Sequence, residues 1–129
     1  MKLIAPALVA ASLLLSTAVG CGGAGTTGGS ATAGGATVKM TEYEFRPSRL
    51  TVRRGTEITV VNDGQIAHNL TIEQGQNPRK QSKKLAGTSS FLPGRSKHFK
   101  VDLEPGRYVM ACTVPGHREL GMVGFITVK

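Results

Sequence analysis

The stretch Tyr108-Val109-Met110-Ala111-Cys112-Thr113-Val114-Pro115-Gly116-His117-Arg118-Glu119-Leu120-Gly121-Met122 brings a thiol, an imidazole and a thioether within eleven residues. Four residues separate Cys112 from His117, and four more separate His117 from Met122. Thiolate and thioether are soft donors and imidazole is a borderline one, so this set suits copper in both of its common oxidation states. Structural zinc sites draw four strong ligands, usually from CxxC-like pairs, and a single cysteine beside a methionine departs from that pattern. His68 is the candidate for the remaining ligand, because it lies in Val60-Val61-Asn62-Asp63-Gly64-Gln65-Ile66-Ala67-His68-Asn69, where one strand ends in a turn and another begins. Two histidines and one cysteine then make a trigonal plane. His98, in Ser96-Lys97-His98-Phe99-Lys100, reads as a structural or exposed side chain, and Met40 and Met110 read as core fillers within strands.

These residues need a rigid frame, and the chain after Ala36 supplies one. Short β-branched runs broken by Gly, Pro and Asn dominate, and no helical period persists. Leu50-Thr51-Val52 and Ile58-Thr59-Val60 alternate apolar with polar residues, as a strand with one buried face requires. Residues 36–129 are therefore predicted to form a small all-β domain, an antiparallel sandwich, with Cys112 ending one strand and Met122 beginning the next. Residues 74–90 are polar and concentrate Arg79, Lys80, Lys83 and Lys84, which predicts a long surface loop. Its charges fit a solvated surface or a docking patch for acidic partners, and the formal net charge of +8 points the same way.

The 129 residues leave room for one modest domain beside a targeting segment. Lys2 precedes an apolar run from Leu3 to Leu15, and the chain then becomes small and polar, a secretory signal over residues 1–20 that is too short to span a membrane. Ala18-Val19-Gly20 before Cys21 resembles the lipobox of bacterial lipoproteins. That resemblance implies cleavage before Cys21, acylation of its thiol, and attachment to the outer face of a membrane; an ordinary secreted protein is the alternative. Residues 22–35, made only of Gly, Ala, Thr and Ser, then read as a flexible tether with a span of roughly 20 Å. With Cys21 acylated, Cys112 is the one free thiol in an oxidising compartment, and metal ligation accounts for its survival.

Phe45-Arg46-Pro47, Arg54-Gly55, Asn62, His68-Asn69, Leu92-Pro93-Gly94, Pro105-Gly106-Arg107-Tyr108 and Cys112-Thr113-Val114-Pro115-Gly116-His117 together resemble the cupredoxins, the blue copper family, over nearly all of residues 36–129. The ligand loop is similar in length to those of rusticyanin, auracyanin and the phytocyanins, and longer than those of plastocyanin and azurin. The resemblance implies a Greek-key β-sandwich holding one copper ion, with His68, Cys112 and His117 as strong equatorial ligands and Met122 as the weak axial one. It further implies that the Asn69 side chain ties the two ligand loops together while its backbone N–H approaches the Cys112 sulfur. His117 is expected nearest the surface, with Ile66, Pro115 and Leu120 as an apolar docking patch around it, and Arg118 and Glu119 as charges beside that patch, solvated or biasing partner choice. The expected function is single-electron transfer by a monomer between redox proteins, with no nucleic-acid partner. Storage or delivery of copper is the competing binding function, though its usual Met- or His-rich clusters are absent from the sequence. Oxidase or nitrite reductase chemistry needs further histidines than the remaining His98, so the chain is not expected to be an enzyme.

Overall fold

Alternation of small β-branched residues builds strands at almost every place the sequence offers them. The computed structural model describes residues 28–30 and 34–129, which contain ten strands and, among the described residues, no helix. They are β1 (Gly28–Ser30), β2 (Ala36–Thr41), β3 (Glu44–Arg46), β4 (Arg49–Val52), β5 (Glu57–Asn62), β6 (Thr71–Glu73), β7 (Lys84–Gly87), β8 (Ser96–Lys100), β9 (Gly106–Ala111) and β10 (Val123–Val128). One sheet has the order β1-β4-β10-β9-β6-β7 and the other the order β3-β2-β5-β8.

Period-two patterning decides which side chains meet between the sheets. In β5, Ile58, Val60 and Asn62 are buried while Glu57 is exposed, and in β10 the buried positions are Gly124, Ile126 and Val128. Ile58, Val60, Ile126 and Val128 join Val38, Met40, Phe45, Val52, Leu70, Ile72, Val101 and Met110 in one core, each large side chain contributing about 1.5–3 kcal/mol by leaving water. The sheets are mixed rather than antiparallel throughout. β10 pairs antiparallel with β9 but parallel with β4, and β2 runs parallel to β5. The parallel pairs arise because consecutive strands such as β4 and β5 lie in different sheets, as Greek-key crossovers require.

Two segments depart from the sequence reading. Lys84–Gly87, inside the stretch expected to be loop, forms β7 against β6, with Leu85 and Ala86 half-buried. A single apolar pair among lysines carries no period, so the strand was invisible before its partner was known. Gly28–Ser30, within the stretch read as a tether, pairs parallel with β4, whose outer edge offers unpaired backbone groups that a short polar segment can satisfy. Residues 1–20, with the expected signal, and Cys21, with the expected acylation, lie outside the described residues. Among the described residues no helix is long and apolar enough to cross a membrane.

Candidate metal centre

Three loops converge where the expected ligands lie: β5 to β6, β7 to β8, and β9 to β10. Cys112 directly follows β9 and Met122 directly precedes β10. Their backbones close the loop between them, Cys112 N–H donating to Met122 O at 3.1 Å and Met122 N–H to His117 O at 3.0 Å. Within it, His117 N–H donates to Val114 O and Leu120 N–H to Gly116 O, at 3.1 and 3.2 Å. The loop is thus shaped by its own backbone bonds before any ligand binds. On the other side, His68 exchanges backbone hydrogen bonds with Phe91, and the Asn62 side-chain amide donates to both Phe91 O and Ile66 O at 2.9 Å.

The ligand atoms of His68, Cys112 and His117 all lie within 4.8 Å of one another, and all three residues are buried. His68 Nδ1 is 3.1 Å from His117 Nδ1, and Cys112 Sγ is 3.5 Å from the same nitrogen. Two imidazole nitrogens and one thiol gathered this closely fit a copper ion by donor chemistry. Met122 is fully buried in the core beside Cys112, and His117, 7% exposed, is the most accessible of the four.

Burial acts on the two donors Cys112 and His117 in opposite directions. Burial pushes the Cys112 thiol up from its ordinary pKa, against the opposing pull of the Asn69 and Val114 backbone N–H groups and the Arg118 charge. Burial lowers the His117 pKa, and the neighbouring His68 adds to the effect against an opposing pull from Glu42; the net lowering favours the neutral ring. Asn69 joins the two ligand loops: its Nδ2 donates to Thr113 Oγ1 at 2.7 Å and its Oδ1 accepts from Thr113 N–H at 2.8 Å. Among the described residues, no buried side-chain nitrogen or oxygen lacks a hydrogen-bond partner.

Around the site, Ile66 is 39% exposed and Leu120 is 60% exposed, with Pro115 exposed between the ligands in sequence. Leu92, adjacent to the Phe91 that pairs with His68, is also 60% exposed, although the sequence reading gave it no place in the docking patch. Arg118 differs from expectation. It is neither a solvated nor a docking charge but is 8% exposed, bound to Glu73 Oε1 at 2.6 Å and to Pro78 O at 2.9 Å. Glu119 is exposed, as are Arg79, Lys80, Lys83 and Lys84. His98 is exposed on β8, and Met40 and Met110 are core residues.

Two further neighbours of the histidines escaped the sequence reading. Tyr43 packs edge-on against the His117 ring at 5.0 Å between centroids, and Glu42 Oε1 lies 3.1 Å from His68 Nε2. Both sit in the β2–β3 turn, and nothing in a Glu-Tyr dipeptide announces a partner that lies 26 residues away along the chain.

A two-sheet sandwich carrying buried His, Cys and His on its converging loops defines a mononuclear copper protein of cupredoxin type. The sequence model described as copper binding proteins, plastocyanin/azurin family, matches residues 32–129. The chain belongs to that family, whose fold and donor set hold one copper ion. It is 33% identical to plastocyanin of Nostoc punctiforme over 91 residues, covering 66% of this chain and 64% of that relative's length. Among solved structures it resembles auracyanin from Roseiflexus castenholzii, with a TM-score of 0.64 and 22% identity, covering 82% of this chain and 99% of the other. It also resembles rusticyanin from Thiobacillus ferrooxidans, with a TM-score of 0.60 and 20% identity, covering 83% and 85%. At such identities the two structures bear on the fold alone.

Proposed function

We propose that the protein is a blue copper electron carrier in which His68, Cys112 and His117 are the strong ligands and Met122 the weak axial one. The observation that carries this reading is the placing of two imidazoles and a thiol within 4.8 Å of one another, in buried positions already held by backbone and side-chain bonds. Bound there, copper supplies a one-electron Cu(I)/Cu(II) couple. The chain's part is to hold the donors in one arrangement. Asn69, the Cys112–Met122 and Met122–His117 backbone bonds, and the His68–Phe91 pair resist the rearrangement that each oxidation state would otherwise prefer. His117 offers the most accessible ring edge, and Ile66, Leu92, Pro115 and Leu120 present dry contact area in the same loops.

Partners are expected to be acidic redox proteins, since Arg79, Lys80, Lys83 and Lys84 are exposed on a segment that Arg118 ties to the ligand loop. The location proposed is the outer face of a membrane, through acylated Cys21 and the residues that follow it, and it rests on the sequence pattern alone. Mass spectrometry of the N-terminus from membrane fractions tests it, an unmodified Cys21 on a soluble protein being the adverse result.

The deciding experiment for the function is the visible absorption spectrum of the copper-loaded protein, with Cys112→Ser as control. A thiolate-to-copper charge-transfer band should be strong in the native protein and absent from the variant. A colourless Cu(II) complex of the native protein would refute the reading.

A further inference from the structure

We infer that Glu42 is a positioning residue of the copper centre: its carboxylate dictates which nitrogen of His68 faces the metal and weights the centre toward Cu(II). This deepens the proposed function and rests on its assignment of His68 as a ligand.

Glu42 sits in the turn between β2 and β3, yet its Oε1 collects three donors from the loop leading into His68. Gln65 N–H lies at 2.6 Å, Ile66 N–H at 3.2 Å, and His68 Nε2 at 3.1 Å. Gln65 and Ile66 offer backbone N–H groups, which can only donate, so Oε1 is fixed as an acceptor facing this loop. His68 must then carry its proton on Nε2, which leaves the Nδ1 lone pair directed at Cys112 and His117. The same oxygen therefore shapes the loop and selects the tautomer of the ring at its end.

Gly64 is independent support. A Cβ at this position would fall 2.4 Å from Glu42 Oε1 and 3.0 Å from His68 Nε2, and the glycine's φ lies outside the positive range that would otherwise require it. Glycine stands there because the carboxylate and the imidazole need the space. The chain has thus given up a side chain at 64 to admit a fixed negative charge against a ligand ring. Such a charge stabilises the more positive oxidation state, and it does so through a partner that also orients the ligand.

Two measurements test this. In the apoprotein at about pH 8, above the ordinary imidazole range, long-range nitrogen–proton NMR correlations should find the His68 proton on Nε2. A proton on Nδ1 would overturn the inference. In the copper-loaded protein, Glu42→Gln keeps an oxygen for Gln65 and Ile66 but removes the charge. At a fixed redox poise its Cu(II)-to-Cu(I) ratio should fall about tenfold, which is about 59 mV upward for a one-electron couple. Gly64→Ala, which drives the carboxylate away, should shift the ratio in the same direction. Glu44→Gln, whose carboxylate is instead bound to Arg46, should leave it unchanged. Unshifted ratios in both Glu42→Gln and Gly64→Ala would sink the proposal. The tautomer is read without copper, and loss of the charge-transfer band in the native protein counts against the proposed function instead, so the two failures stay distinct.

Discussion

Arg118 Nη2 donates to Glu73 Oε1 at 2.6 Å, joining the loop that carries His117 to the end of β6. Both side chains are withdrawn from water, at 8% and 1% exposure. Neither is left half-satisfied. Arg118 Nη1 also donates to Pro78 O and Lys80 O, while Glu73 accepts from Thr71 Oγ1 and Ser82 N–H. One guanidinium therefore fastens the ligand loop and the lysine-rich segment to the same carboxylate.

Breaking this pair from one side leaves a buried charge without its partner, so Arg118→Ala or Glu73→Ala should each destabilise the apoprotein by roughly 3–5 kcal/mol. Arg118→Leu combined with Glu73→Leu should lose much less than the two single changes summed. Denaturant unfolding of the four proteins checks the coupling, and additive losses would mean that the pair acts as two independent residues.

Asn69→Ala removes both bonds to Thr113 while keeping the backbone N–H that reaches Cys112. The part-buried Thr113 N–H loses its acceptor and the Thr113 hydroxyl its donor, a loss of about 1 kcal/mol in stability. Because the two ligand loops are no longer fastened to each other, the copper band should also broaden. Thermal melting and the absorption line width measure the two effects separately.

Gly87→Ala addresses the strand that the sequence concealed. At φ +125° a Cβ would stand 2.2 Å from Leu70 O and 2.8 Å from Thr71 Cα, both backbone atoms that cannot swing aside. The substitution combines a conformation that side chains avoid with a backbone clash, and a loss of about 1–3 kcal/mol is expected from the conformation alone. Urea unfolding should show at least that loss, and hydrogen exchange should find it concentrated in β6 and β7.

The raised Cys112 pKa makes a pH prediction for the apoprotein. A thiol held protonated by burial contributes stability that is fully present below the ordinary cysteine pKa of about 8.5, and that is lost as pH rises through the folded value. Unfolding free energies of the metal-free protein should therefore decline above that pH by more than those of Cys112→Ser. Parallel pH profiles for the two would contradict the assigned direction. Copper binding expels the same proton, so metal uptake in a weakly buffered solution should acidify it for the native protein and not through this residue in the variant.

Much of the site could be read from residue order. Cys112, His117 and Met122 lie on one short loop, so their spacing alone confined them to one neighbourhood, and β-branched alternation in Leu50–Val52 and Ile58–Val60 announced the sandwich that holds them. His68 was recoverable because it lies in its own recognisable segment, where one strand ends in a turn and another begins. These are local signals, and local periodicity or ligand spacing survives in one dimension.

The tertiary structure decided what distant residues do to one another. Arg118 looked like a loop charge until Glu73 came beside it, Glu42 and Tyr43 drew no reading at all until they met the histidines, and Lys84–Gly87 became a strand only against β6. The physical reason is the same in each case. A charge, a ring or an isolated apolar pair acquires its role from the partner it is buried against, and a chain folded through crossovers brings that partner from far along the sequence. Residue types thus determined which chemistry this protein could hold, while the packing of its loops determined which side chains orient and tune it.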